Sequence, residues 1–145
     1  MLSESQIDVL RHSFKAVSKE PEIFAAAFYE RLFQIAPHTE AMFKNDMHRQ
    51  GQKMVSTLGV VVARLHEFDT LLPVITDLAR RHVAYGVETA HYPPVGEALV
   101  FALRRQFGAD EETIAVWTLA YNALARTMIA ATYPAAATAH RADAA

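Results

Sequence analysis

His82 stands in the stretch RRHVAYGVETAHYPPVG, residues 80–96, behind two arginines and ahead of Gly86 and the Pro93–Pro94 pair. An imidazole can bind a metal, move a proton, or fill a core position on one hydrogen bond. A lone histidine on an apolar helix face is by default the last of these. A matched set of groups elsewhere in the chain argues for more. Gln50 and Met54 lie at i, i+4 and share one helix face, an amide donor beside an apolar wall. Tyr29 and Phe33 repeat the combination, a hydroxyl beside an aromatic surface, and Phe43 adds a ring just after a break at Pro37. Together these groups suit a flat, apolar cofactor.

The other histidines do not extend the set. His48 precedes Gln50 by two residues and so points to nearly the opposite side of a helix, toward solvent. His12, His38, His66 and His140 lack a second ligand at helical spacing, which argues against a separate metal centre. No cysteine occurs, so disulfides, thiolate metal sites and cysteine nucleophiles are excluded. The five glycines, at 51, 59, 86, 96 and 108, form neither a dinucleotide fingerprint nor a P-loop. A net charge of -2 gives no concentrated basic face, so nucleic acid is not an expected partner. The first residues, MLSESQIDVL, lack the basic and apolar segments of a signal peptide, and no apolar run reads as long enough to span a bilayer. The expectation is a cytoplasmic protein with no membrane partner.

The elements that must position these groups read as helices. At 145 residues and 52% hydrophobic content, one all-α domain over residues 1–134 is expected. Ile7, Leu10, Phe14 and Val17 mark a first helix behind Ser3 or Ser5 as N-cap. Pro21 opens a second, which carries Phe24, Phe28 and Leu32 beside Tyr29 and Phe33, and Pro37 ends it. Pro37 to Phe43 reads as a short turn or helix. A long helix spans about Met47 to Leu65, and another about Thr70 to Tyr85, with Leu71, Ile75, Leu78 and His82 on one side and Gly86 as its stop. Pro94 opens a helix with Val95, Leu99 and Phe107, and the last runs from Asp110 through Trp117, Tyr121, Leu124 and Met128 to Pro134. Residues 135–145, of low complexity, read as a disordered tail.

The order of AFYERLF, APHTEAMF, QGQKM, RRHVAYGV, HYPPVG and the Trp117–Tyr121 pair resembles the globin family, in particular bacterial single-domain haemoglobins and the globin domain of flavohaemoglobins. The likeness covers residues 5 to about 130, and Gln50 and His82 stand 32 residues apart, as the family's distal and proximal residues do. It implies a globin fold of six to eight helices around haem b. His82 then resembles the proximal iron ligand, with its other ring nitrogen bonded to a carbonyl one turn earlier, around Leu78. Tyr29 and Gln50 resemble the distal donors, Met54 the wall above the iron, Phe43 the ring flat on the porphyrin, and Lys53 the cation at a propionate. Tyr92, in the HYPPVG segment, resembles a residue reaching the proximal side, with Val95 also expected to contact the cofactor and His91 at the rim.

What the resemblance implies about function is reversible binding of oxygen, carbon monoxide or nitric oxide, for oxygen transport, storage or buffering, by a monomer or homodimer. The family's alternative is nitric oxide detoxification, a dioxygenase activity that would need electrons from a separate reductase. A sensor module, with or without haem, is the third reading. One departure bears on the choice. Flavohaemoglobins carry a glutamate on the last helix that makes the proximal histidine more electron-donating, whereas here no Asp or Glu occurs between Glu112 and Asp143, and Thr132 falls near that position. The missing carboxylate favours simple gas binding over O–O cleavage.

Overall fold

Helix starts follow from local chemistry. In the computed structural model, which describes residues 2–43 and 46–133, Ser3 caps helix α1 (Glu4–Lys19) reciprocally. The Gln6 N–H donates to its hydroxyl at 3.1 Å, and its own N–H donates to the Gln6 side chain at 2.8 Å. Pro21 occupies the first turn of α2 (Pro21–Ile35), where its missing N–H has no partner to lose. A 3-10 helix over Pro37–Met42 leads to Phe43. Asp46 caps α3 (Met47–Arg64) through the His48 N–H at 3.0 Å. A 3-10 turn (Leu65–Glu67) precedes α4 (Phe68–Ala84), and another (Thr89–His91) precedes α5 (Tyr92–Phe107). Gly108, left-handed at φ +58°, closes α5. Asp110 caps α6 (Glu111–Thr132) through the Thr113 N–H at 2.8 Å. Among the described residues there are six α-helices and no strand.

Two boundaries move from expectation. Helix α4 begins at Phe68 rather than about Thr70, and α5 at Tyr92 rather than Pro94. Pro93 and Pro94 sit inside the first turn of α5, because their fixed φ already matches a helix start. The expectation of no long apolar run is also corrected. The 22-residue α6 has length and hydropathy enough to cross a membrane. In this fold Ile114, Val116, Trp117, Ala125 and Met128 instead bury one side of it in the core. The expected tail over 135–145 lies outside the described residues.

Helix α2 packs most extensively on α5 and then on α3, while α4 packs chiefly on α6. The crossing of α2 and α3 depends on Gly51, where a Cβ would stand 2.7 Å from the Cβ of Ala25. The main core gathers Leu10, Val17, Phe24, Leu32, Leu103 and Trp117, all nearly without solvent contact. The one buried indole N–H donates to Ser13 Oγ at 2.8 Å, so the core leaves it satisfied. A second cluster joins Leu71, Ile75 and Ala79 of α4 to Tyr92, Ala125 and Met128.

Candidate functional site

The last turn of α4 carries His82. Its Nδ1 lies 2.8 Å from the Leu78 carbonyl, as the helical spacing predicts. A carbonyl can only accept, so Nδ1 holds the proton and the neutral ring keeps its lone pair on Nε2. Burial pushes the pKa of His82 below the ordinary 6.5; the Leu78 bond opposes that fall and the neighbouring Arg81 charge adds to it. The result is a half-buried neutral imidazole with one nitrogen committed and one free.

Behind it the chain turns sharply. Gly86 takes φ +92°, its N–H donates to the Val83 carbonyl at 2.9 Å, and the Val87 N–H donates to the His82 carbonyl at 3.0 Å. This pair of bonds is a Schellman end, and only glycine adopts the left-handed position without strain. Tyr92, at the start of α5, is buried in one cluster with Ile75 and Ala79 of α4. Its carbonyl accepts from Tyr121 Oη at 2.7 Å. Val95, one turn from Tyr92, is half-buried against the main core. A Cβ at Gly96 would come within 2.9 Å of the Tyr121 ring, so the missing side chain lets α6 lie close to α5 here.

The opposing groups come from α2 and α3. Tyr29 is buried among Phe28, edge-on at 5.0 Å between ring centroids, Phe43 at 5.2 Å and Phe33 at 5.9 Å. Burial raises its pKa, and the Gln50 side chain beside its hydroxyl offsets part of that rise. Tyr29 lies one turn beyond Ala25, and Gln50 adjoins Gly51. The close crossing at Gly51 therefore brings phenol and amide together. Met54 and Phe43 are half-buried against the main core, and Lys53 is exposed.

Of the sequence-predicted residues, the fold thus joins Tyr29, Gln50, Phe33 and Phe43 in one cluster, and His82 with Leu78 in another. No hydrogen bond links His82 to Gln50, Met54 or Lys53. His48 is exposed, with Nε2 3.3 Å from the Gln52 amide nitrogen. His38 and His91, distant in sequence, face each other with centroids 5.3 Å apart, and His91 Nδ1 accepts the Glu88 N–H. Among the described residues no three His, Asp or Glu side chains are grouped to hold a metal ion, and His140 lies outside them. Thr132 Oγ1 donates back to the Met128 carbonyl at 2.8 Å. Sequence reasoning missed Tyr133, whose hydroxyl donates to the Val87 carbonyl at 2.6 Å, and missed Gly51, although a glycine inside a helix beside Gln50 was a signal for it. An apolar cavity of about 370 Å³, lined by Leu10, Leu58, Val62, Trp117 and Leu124 among others, includes none of the eight residues expected at the site.

The donor set fits a flat iron porphyrin: one uncommitted neutral imidazole nitrogen for the metal, aromatic and aliphatic walls, and two neutral donors in a different cluster. Comparison with known proteins agrees in fold and sequence. A flavohemoprotein of Chromobacterium violaceum is 31% identical over 89% of this chain, which spans 33% of that protein's length. An uncharacterized globin-like protein of Aquifex aeolicus is 30% identical, with 89% of this chain and 93% of that one aligned. Among solved structures, an engineered carbene transferase from Rhodothermus marinus, described as a candidate nitric oxide dioxygenase, superposes with a TM-score of 0.80 at 28% identity, over 98% of this chain and 99% of its own. A bacterial globin of Campylobacter jejuni superposes at 0.79 with 24% identity, over 89% and 95%, a likeness of fold alone. The sequence pattern of the Globin family matches residues 26–128, and the chain belongs to that family.

Proposed function

We propose that this globin holds haem b on His82 Nε2 and binds oxygen, carbon monoxide or nitric oxide reversibly, in the cytoplasm, for delivery, storage or buffering of the gas. The observation that carries the reading is the state of His82, neutral, half-buried, and oriented by Leu78 with its second nitrogen free. When bound, the haem supplies an iron atom with one coordination position for a diatomic gas. Tyr29 and Gln50 would offer hydroxyl and amide donors to a gas held there, and the Phe33 and Phe43 rings beside Tyr29 would keep water away. Met54 would supply an apolar wall, Tyr92 and Val95 of α5 would border the haem, and exposed Lys53 would meet a propionate. The test is the absorption spectrum of haem-loaded protein, reduced without air and then given carbon monoxide. A five-coordinate ferrous spectrum that shifts with gas, and is lost or weakened in His82→Ala, is expected. An unchanged spectrum in the variant would refute the assignment.

Nitric oxide dioxygenation with a separate reductase is the second reading, supported by the description of the Rhodothermus marinus relative. Thr132 weighs against it, because its hydroxyl is turned back into its own helix and supplies no charge toward His82. Sustained turnover with an added reductase, rather than one stoichiometric reaction, would decide for the enzyme.

A further inference from the structure

Two histidines distant in sequence meet ring to ring. His38 sits on the 3-10 helix over Pro37–Met42 and His91 ends the 3-10 turn over Thr89–His91, with ring planes tilted by 34° and centroids 5.3 Å apart. His91 is fixed further by its own turn. The Glu88 N–H donates to its Nδ1 at 2.8 Å, and its own N–H donates to the Glu88 carbonyl at 3.0 Å. A ring nitrogen that accepts an N–H carries no proton, so His91 is neutral with its one ring proton on Nε2. That state leaves Nε2 no lone pair for a metal ion, and the pair reads as a site for protons. No carboxylate is placed to hold an added charge. Among the described residues the one histidine in an ion pair is His66, with Glu67. Arg31 of α2 is paired with Glu97 of α5 at 2.9 Å, Tyr92 is buried against α4, and exposed Glu40 and Glu88 form no ion pair with either ring.

We propose that His38 and His91 form an acid-released latch between two elements at the edge of the cofactor site. Neutral, the rings hold the 3-10 helix that leads to Phe43 against the turn that opens α5 at Tyr92. A proton on His91 Nδ1 abolishes the Glu88 bond, because a protonated nitrogen cannot accept. With His38 also charged, two cations then face each other. The latched form therefore binds fewer protons than the released one, so it is favoured at higher pH and lost as the pH falls from about 8 to about 5. On release, the Phe43 and Tyr92 segments part and haem leaves more readily. This last step rests on the reading that those residues border haem, whereas the proton step does not.

The experiment compares the haem-loaded full chain with His91→Asn and His38→Phe. The amide oxygen introduced by His91→Asn can accept the Glu88 N–H but takes up no proton, and His38→Phe keeps a ring in place without a charge. The readouts are amide-exchange protection at Glu88, corrected for the intrinsic effect of pH, and the rate of haem transfer to an excess of a haem-free scavenging globin. From about pH 8 to about pH 5, wild-type protection at Glu88 should fall by about three- to tenfold, the range for one lost hydrogen bond. His91→Asn should keep its protection throughout. Haem transfer should speed up more steeply with acid in wild type than in His91→Asn, and protonation of His82, common to both, cancels from that ratio. His38→Phe should hold Glu88 protection to lower pH than wild type, which decides the matter should His91→Asn not fold. Wild-type protection that ignores pH overturns the proposal, as does a loss that persists in His91→Asn. Protection that follows pH while haem transfer stays in step in the two proteins overturns the link to the cofactor edge. A chain that takes up no haem yet keeps the acid response at Glu88 refutes the haem reading and supports the proton step.

Discussion

If His82 holds haem as proposed, Tyr29→Phe should separate gas binding from haem binding. The Tyr29 hydroxyl is buried beside the Gln50 amide, while His82 is held independently by Leu78, so Tyr29→Phe leaves the imidazole side untouched. One neutral hydrogen bond contributes about 0.5–1.5 kcal/mol net, so oxygen should leave the variant about three- to tenfold faster, measured by stopped-flow displacement. Carbon monoxide, whose outer atom attracts a donor less, should change by a smaller factor. Equal factors for both gases would mean that the phenol fills space and donates nothing. The sequence makes both sides readable at this scale for a physical reason: a histidine four residues after a carbonyl in a helix is within reach of it, and i, i+4 pairs share a face. It hides Tyr133 because the partner is a backbone carbonyl 46 residues away, and a carbonyl has no residue type to signal it.

At the scale of elements, caps and prolines make most boundaries legible, since Ser3, Pro21, Gly86 and Asp110 each act on the adjacent backbone alone. Pro93–Pro94 misleads because proline is compatible with a helix start as well as a break. How two helices approach is a pairwise property, and the Gly51–Ala25 contact shows its consequence for the site. Alanine at 51 would gain about 1 kcal/mol of helix propensity over glycine. Against this, the 2.7 Å separation sets two backbone-fixed Cβ atoms in each other's way, and neither can rotate aside. Overpacking of this kind costs about 1–3 kcal/mol and is relieved only by moving α3 off α2. Gly51→Ala should therefore lower the urea midpoint of unfolding and, because Gln50 moves with α3, also speed oxygen release. A variant as stable as wild type would show that the crossing has slack.

For the whole molecule, periodicity supplies six apolar stripes and leaves open which packs on which. The packing of α2 on α5 and of α4 on α6 is a pairwise property that the stripes do not carry. The apolar length of α6 shows the limit, since a core helix and a membrane span share that signature until its partners are known. What the packed state adds is three phenols drawn inside. The pKa values of Tyr29, Tyr92 and Tyr121 are all raised above 10.0, in each case chiefly by burial, with Gln50 partly opposing it for Tyr29 and a second tyrosine adding to it for the other two. The unfolded chain, with phenols near 10, therefore gives up protons first as the pH rises, and the folded state binds more protons than the unfolded one. Stability from this source is fully present below pH 10 and is lost as pH climbs toward the folded-state values. The urea midpoint of the haem-free protein should be flat approaching pH 10 and fall above it, with phenolate absorbance for the buried tyrosines appearing together with loss of helix. Replacing Tyr121, the most strongly shifted of the three, with Phe should flatten that fall, because a side chain that cannot ionise removes its share of the proton difference. A midpoint insensitive to alkali, with phenolate forming while the helices persist, would mean that these hydroxyls reach water in the folded state and that the seal around the site is open.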